Sequence, residues 1–168
     1  MPQFLSQLPS DFAHTHANLA NFLTAKGSLT ALLEQVANQP LRVKIVQEGH
    51  RALTFAQKKQ LGLDVNRPQI AWVRTVQLYG ASDRAWVMAS SIFPLKTLQG
   101  ELNRLRHLGS TPIGYVLFKK HRTLPHTRRL YRTIDGEYGR STLYEYHGKK
   151  LLIDELFLAE FCEFLQNQ

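Results

Sequence analysis

The final third of the chain holds three strand-like stretches, residues 127–134, 141–147 and 150–156. The Asp135-Gly136-Glu137-Tyr138-Gly139 and His147-Gly148 segments would make the turns between them. Such turns can reverse a strand, but they are too short for the crossover that a parallel neighbour needs, so the stretches must run antiparallel. The same reading applies upstream. Residues 70–79 alternate as a strand and meet a second strand, 84–93, through Gly80-Ala81-Ser82-Asp83. Residues 41–46 alternate apolar and basic, the mark of a half-exposed strand.

Helical patterns flank these strands. A first helix is expected over residues 11–23, and a second starts after Ser28, a good N-cap, running through Leu29, Leu32, Leu33 and Val36 until Pro40 stops it. A short helix is expected at 55–61. Leu95, Leu98, Leu102, Leu105 and Leu108 form one apolar stripe at helical spacing, closed by Gly109. Ser110-Thr111-Pro112 reads as another helix start, with a hydroxyl cap and proline in the first turn. A last helix covers 159–165, with Phe161, Phe164 and Leu165 turned inward. The class is α+β: one domain, residues 1–168, with an antiparallel sheet covered by helices. Residues 1–26 are expected to form an N-terminal helical segment and 159–168 a C-terminal helix.

Two charges break the apolar faces of these strands. Alternate side chains of a strand share a face, so Arg74 lies in phase with Ile70, Trp72, Val76 and Leu78, and Glu155 with Leu151, Ile153 and Phe157. A buried guanidinium without a partner is strongly disfavoured. Arg74 and Glu155 are therefore either a structural ion pair or the two poles of a site for a small polar anion. Helix starts at Leu29 and Ile113 could offer backbone amides to such an anion. His14-Thr15-His16 does not read as a metal site, because alternate histidines on a helix point apart and no third ligand is visible. Cys162 has no evident base partner and reads as a packing residue.

Composition narrows the classes further. With 43% hydrophobic and 20% charged residues the chain is globular, and its single cysteine excludes an internal disulfide framework. Residues 1–25 contain no Lys or Arg, so they lack the charged region of a secretory signal. No apolar run approaches a membrane span, and a cytoplasmic protein without membrane insertion is expected. The net charge of +8 invites a nucleic-acid reading. Its densest parts, Lys119-Lys120-His121-Arg122 and Arg128-Arg129 with Tyr131-Arg132, read as a solvated sheet face. The same charge suits an anionic small molecule.

Trp72-Val73-Arg74, Leu108-Gly109-Ser110-Thr111-Pro112-Ile113-Gly114 and the stretch from Gly148 to Leu158, ending Leu-x-x-Glu-Leu-Phe-Leu, resemble the chorismate pyruvate-lyase family. The resemblance runs from about Ser28 to Leu158 in the family's order. It implies a compact α+β domain with one antiparallel sheet, and an activity that releases pyruvate from chorismate to give 4-hydroxybenzoate for ubiquinone biosynthesis, without a cofactor. It places the ligand arginine on Arg74, the acidic residue on Glu155 and the two helix-start contacts on Leu29 and Ile113. The family often has methionine and leucine at those last two positions; contacts through backbone and apolar bulk tolerate the change. By this resemblance Arg74 fixes the ring carboxylate, while Glu155 orients the C4 hydroxyl or assists loss of the C4 hydrogen. Trp72, Val76 and Ile153 wall the site. Chorismate and 4-hydroxybenzoate are the expected small-molecule partners of a monomer that binds no nucleic acid. The alternative is a non-enzymatic sensor of small aromatic carboxylates with the same fold. A regulator of that kind also needs a DNA-reading module, for which the residues before Ser28 are too few.

Overall fold

The computed structural model describes residues 1–12, 16–119 and 123–168. In chain order its elements are β1 (Gln3–Leu5), α1 (Ala17–Thr24), α2 (Leu29–Ala37), β2 (Arg42–Ala52), α3 (Phe55–Gln60), β3 (Ile70–Tyr79) and β4 (Val87–Pro94). Two 3-10 segments, Leu95–Thr97 and Gly100–His107, precede α4 (Gly114–Leu117), β5 (His126–Arg132), β6 (Tyr138–Tyr146), β7 (Lys149–Phe157) and α5 (Ala159–Gln166). The strands form one seven-stranded sheet in the order β1-β5-β6-β7-β4-β3-β2, and every pairing is antiparallel. The His147-Gly148 hairpin works because both residues take positive φ, 49° and 70°, as a tight two-residue turn requires.

The element pattern departs from the sequence reading in four places. The chain's first residues form strand β1 against β5, not a helix. Helix α1, Ala17–Thr24, covers the later part of the first expected helix, and residues 13–15 of that stretch lie outside the described residues. Strand β2 runs on to Ala52 through a register shift between Ile45 and Gln47 that the half-exposed pattern hides. The leucine stripe is 3-10 rather than α. Leu102, Leu105 and Leu108 are spaced by three, which is one full 3-10 turn, and all three are buried. Ser110 caps nothing; helix α4 begins at Gly114 with Ile113 as its N-cap residue. Ser28 does cap α2, its hydroxyl accepting from the Ala31 amide at 3.3 Å.

One face of the sheet carries most of the core, in two clusters. Helices α1, α2 and α5 pack on Val76, Leu78, Val87, Ala89 and Phe157, with Trp86 and Phe161 fully enclosed. The 3-10 segments and α4 pack on Phe93, Tyr144, Leu151 and Ile153. A smaller cluster under α3 covers part of the opposite face, around Leu53, Leu61, Ala71, Ile92 and Leu152. The two larger clusters do not merge completely. The seam between them runs across the middle of the sheet, and the charged residues lie along it.

Candidate active site

Strand register builds the seam. The cross-strand row Glu48, Arg74, Ser91, Ile153, Thr142, Arg128 crosses six strands, and one step along lies the row Val76, Ala89, Glu155, Arg140. A narrow cavity of about 30 Å³ lies over these rows. Its walls include Arg74, Ser91, Ile153 and Glu155 from the sheet, Leu29 and Thr30 from α2, and Ile113, Gly114 and Phe118 from α4 and its ends. Tyr144 lines it as well. Arg74, Glu155, Leu29 and Ile113, singled out in the sequence, thus border one space. Trp72 does not: it turns away, with His50 edge-on at 5.1 Å and the Arg106 guanidinium 5.6 Å from its ring.

Arg74 is 1% exposed. Its Nη2 donates to the Gly109 carbonyl at 2.7 Å and to the Thr111 carbonyl at 3.1 Å, so the turn before α4 is pinned to the sheet by this side chain. Glu48 approaches Nε to 3.8 Å without hydrogen-bonding it, and Nε has no other acceptor among the described residues. Burial lowers the Arg74 pKa and the Glu48 charge opposes that shift. The result is a guanidinium held in place with donor capacity unused.

Glu155 is not the partner of Arg74. It pairs with Arg140, whose Nε donates to Oε2 at 2.5 Å. Arg140 is 0% exposed and its Nη1 donates to the carbonyls of Phe22 at 2.6 Å and Ala25 at 3.1 Å. This residue was missed in the sequence because Arg140 follows a turn rich in polar residues. Its phase with Tyr138, Thr142, Tyr144 and Tyr146, all buried, was the signal available. Arg128 lies beside it on β5 and is half-buried rather than part of a solvated face. Lys120, His121 and Arg122 of the other basic run, and His14-Thr15 of the histidine motif, lie outside the described residues.

The amides of Leu29 and Thr30 open α2, and those of Ile113 and Gly114 open α4, so neither pair can bond within its own helix. These two starts meet over the cavity. A Cβ placed on Gly114 would lie 2.5 Å from Thr30 Oγ1 and 2.7 Å from Ser28 Oγ, so only glycine permits this approach. Across the mouth, the Tyr115 hydroxyl donates to Glu34 Oε1, tying α4 to α2; that bond, with partial burial, pushes the phenol pKa up to about 12. Outside lies an open cleft of about 760 Å³ lined by residues 25–28, Glu34 and Tyr115, which shares Gly114 and Phe118 with the inner cavity. No helix among the described residues is long and apolar enough to cross a membrane.

The chain as a whole matches a known family. A family model described as chorismate lyase matches residues 2–164. A Psychrobacter arcticus protein named "Probable chorismate pyruvate-lyase" is 54% identical over 157 residues, 92% of this chain and 93% of its own. The chorismate pyruvate-lyase of Pectobacterium atrosepticum is 33% identical over 150 residues, 85% of this chain and 78% of its own. Two solved structures share the fold at low identity. The effector domain of PhnF from Mycobacterium smegmatis superposes with a TM-score of 0.52 at 11% identity, over 81% of this chain and 91% of its own. A GntR-family transcriptional regulator from Bacillus cereus gives 0.52 at 13% identity, over 71% and 92%. With a matching family model across nearly its whole length and a relative sharing more than half its residues, the chain belongs to the chorismate lyase family.

Proposed function

We propose that this protein is a chorismate pyruvate-lyase, which converts chorismate to 4-hydroxybenzoate and pyruvate, and that the reaction takes place in the cavity between Arg74 and Glu155. The observation that carries the reading is the pairing of opposite charges at two sides of one enclosed, largely apolar space, each already fixed by other bonds. Arg74 receives the ring carboxylate with the donors its backbone bonds leave unused. The amides at Leu29 and Ile113 add donors to the bound anion. Glu155 accepts a hydrogen bond from the C4 hydroxyl.

The chemistry needs orientation more than reagents. The hydrogen on C4 passes to the methylene carbon of the enolpyruvyl group, the C3–O bond breaks, and the ether carbon becomes the ketone of pyruvate. The ring becomes aromatic, which drives the reaction; it is redox-neutral and requires no cofactor. Holding the enolpyruvyl arm over C4 turns a rare conformation into the bound one. Glu155 acts here by positioning. Protonating it would leave the enclosed Arg140 without its counter-charge, a costly change for a buried pair.

A cavity of about 30 Å³ has room for one or two water molecules and not for a substituted ring. The cover formed by the start of α2 and by α4 must therefore part to admit substrate, and its reclosure excludes water. We place the reaction in a cytoplasmic monomer that supplies ubiquinone biosynthesis. The test is purified protein with chorismate, with and without a chelator, followed for pyruvate and 4-hydroxybenzoate in equal amounts. Binding of 4-hydroxybenzoate without turnover would replace the lyase by a sensor, and loss of turnover with chelator would reject the cofactor-free mechanism.

A further inference from the structure

Arg128 and Arg140 take no part in holding a benzoate ring, yet they form the second concentration of positive charge on this face. Both donate from Nη1 to the Ala25 carbonyl, so two guanidinium heads converge on one oxygen. Among the described residues the carboxylate bonded there is Glu155, and Arg140 takes it. Among the described residues Arg128 hydrogen-bonds neutral oxygens: Thr142 Oγ1 at 2.9 Å, the Tyr144 hydroxyl and the Leu23 carbonyl at 3.3 Å each, and Ala25. Arg140 Nη2 is fully buried and has no partner.

An anchoring role for the end of α1 explains the carbonyl bonds but not the two adjacent cations. Neutral donors would tether the same carbonyls without like-charge repulsion. Burial, first, and the neighbouring Arg140 charge lower the Arg128 pKa, while Tyr144 and Glu155 oppose that shift. Its position is specific as well. Arg74 and Arg128 stand in one cross-strand row, four strand spacings or about 19 Å apart between α-carbons. The cavity is lined by Arg74, Ser91 and Ile153 of that row and by Tyr144, whose hydroxyl is a long 3.3 Å from Arg128. Ala25, which both arginines bond, lines the outer cleft that shares Gly114 and Phe118 with the cavity.

Resting on the proposed activity, we infer that Arg128, with Arg140 Nη2 beside it, forms a second carboxylate subsite that receives the enolpyruvyl carboxylate of the substrate. Tyr144 is the gatepost: its hydroxyl yields its place on Arg128 to the incoming carboxylate. A dianion is then gripped at both ends, by Arg74 and by Arg128, and this sets the enolpyruvyl arm relative to C4. After cleavage the aromatic product keeps only the Arg74 end, so the two products separate with different hold on the protein.

The experiment compares two ligands on Arg128→Gln. One is 4-hydroxybenzoate, which carries one carboxylate. The other is a stable benzoate bearing the enolpyruvyl ether at its 3-position, which carries both and cannot react further. The variant should bind the dianion about 10- to 100-fold more weakly, the scale of a lost charged hydrogen bond, while its affinity for 4-hydroxybenzoate stays within about threefold. KM for chorismate should rise with the dianion dissociation constant, and Arg128→Lys should recover part of the loss. Melting temperature measured on the same samples covers the anchoring role. Equal weakening of both ligands in step with lost stability, or no change in either, overturns the subsite. If the unaltered protein does not turn over chorismate, it is the lyase reading that fails, and the dianion-to-monoanion comparison still reports on Arg128.

Discussion

Replacing Gly114 by alanine tests whether the closed cover retains the ligand. The added methyl carbon would sit 2.5 Å from Thr30 Oγ1, 2.7 Å from Ser28 Oγ and 2.9 Å from Thr30 Cβ. Non-bonded carbon contacts are comfortable near 3.5–4.0 Å, so α4 and the start of α2 must separate by roughly half an ångström to an ångström. Overpacking of this kind costs about 1–3 kcal/mol. The cost falls on the closed arrangement, because parting the two segments relieves the overlap. If product is held only behind the closed cover, affinity for 4-hydroxybenzoate should fall by the same energy, about 5- to 150-fold, chiefly through faster release. Calorimetric titration gives the affinity, and displacement in a stopped-flow instrument gives the release rate. A variant that is less stable yet binds and releases 4-hydroxybenzoate like the parent would refute the reasoning, since the contact would then be ordinary packing.

Three further outcomes follow from the same geometry. Tyr115→Phe removes the hydroxyl that joins α4 to Glu34 at the mouth and leaves the ring in place, so product release should quicken about 2- to 10-fold, in line with one hydrogen bond; unchanged release in displacement kinetics would show that the bond is no latch. Glu155→Gln keeps an acceptor for the C4 hydroxyl but gives up the charge that Arg140 needs, so the melting temperature should fall and turnover drop, both more sharply in Glu155→Leu; if turnover per folded molecule vanishes in the glutamine variant while stability holds, Glu155 is a proton acceptor instead. Asp154, on the opposite face of the sheet, is raised from its ordinary 3.8 chiefly by desolvation, against a hydrogen bond from Ser141. A carboxyl raised in the folded state supports stability below its unfolded pKa and loses that support as pH rises through the folded value. Asp154→Asn should match the parent near pH 4 and melt higher at pH 7, by about 2–4 °C for each kcal/mol recovered; equal melting temperatures across that range would reject the burial cost.

The sheet was legible because its signals are local. Period-two alternation over residues 70–79 and the two short turns after 134 and 146 define strands and their direction without knowledge of the rest of the chain. Ser28 was legible for the same reason, since a hydroxyl before an apolar run is a cap wherever the helix packs. What could not be read depends on distant partners. Strand β1 exists because β5 offers an edge, and three residues such as Gln3–Leu5 carry no pattern of their own. The leucine stripe fits α and 3-10 spacing almost equally at 98, 102, 105 and 108, and packing against Phe93 and Leu151 makes the choice.

The site shows the same division more sharply. An arginine in a buried phase announces itself at Arg74, since its neighbours in phase are Trp72, Val76 and Leu78. Which carboxylate answers it does not, and the natural guess of Glu155 is wrong by two strands: β4 and its Ser91 and Ala89 stand between, and Glu155 faces Arg140 directly across β6. That separation has a consequence for function. If Arg74 and Glu155 were one ion pair, each would satisfy the other and a ligand would have to break a buried bond to enter. Because each is anchored elsewhere, Arg74 on the carbonyls of Gly109 and Thr111 and Glu155 on Arg140, both hold their orientation with bonding capacity facing the cavity. On the proposed reading, a carboxylate at one side and a hydroxyl at the other then bind without Arg74 or Glu155 giving up a bond, which is what preorganisation for a small anionic ring requires.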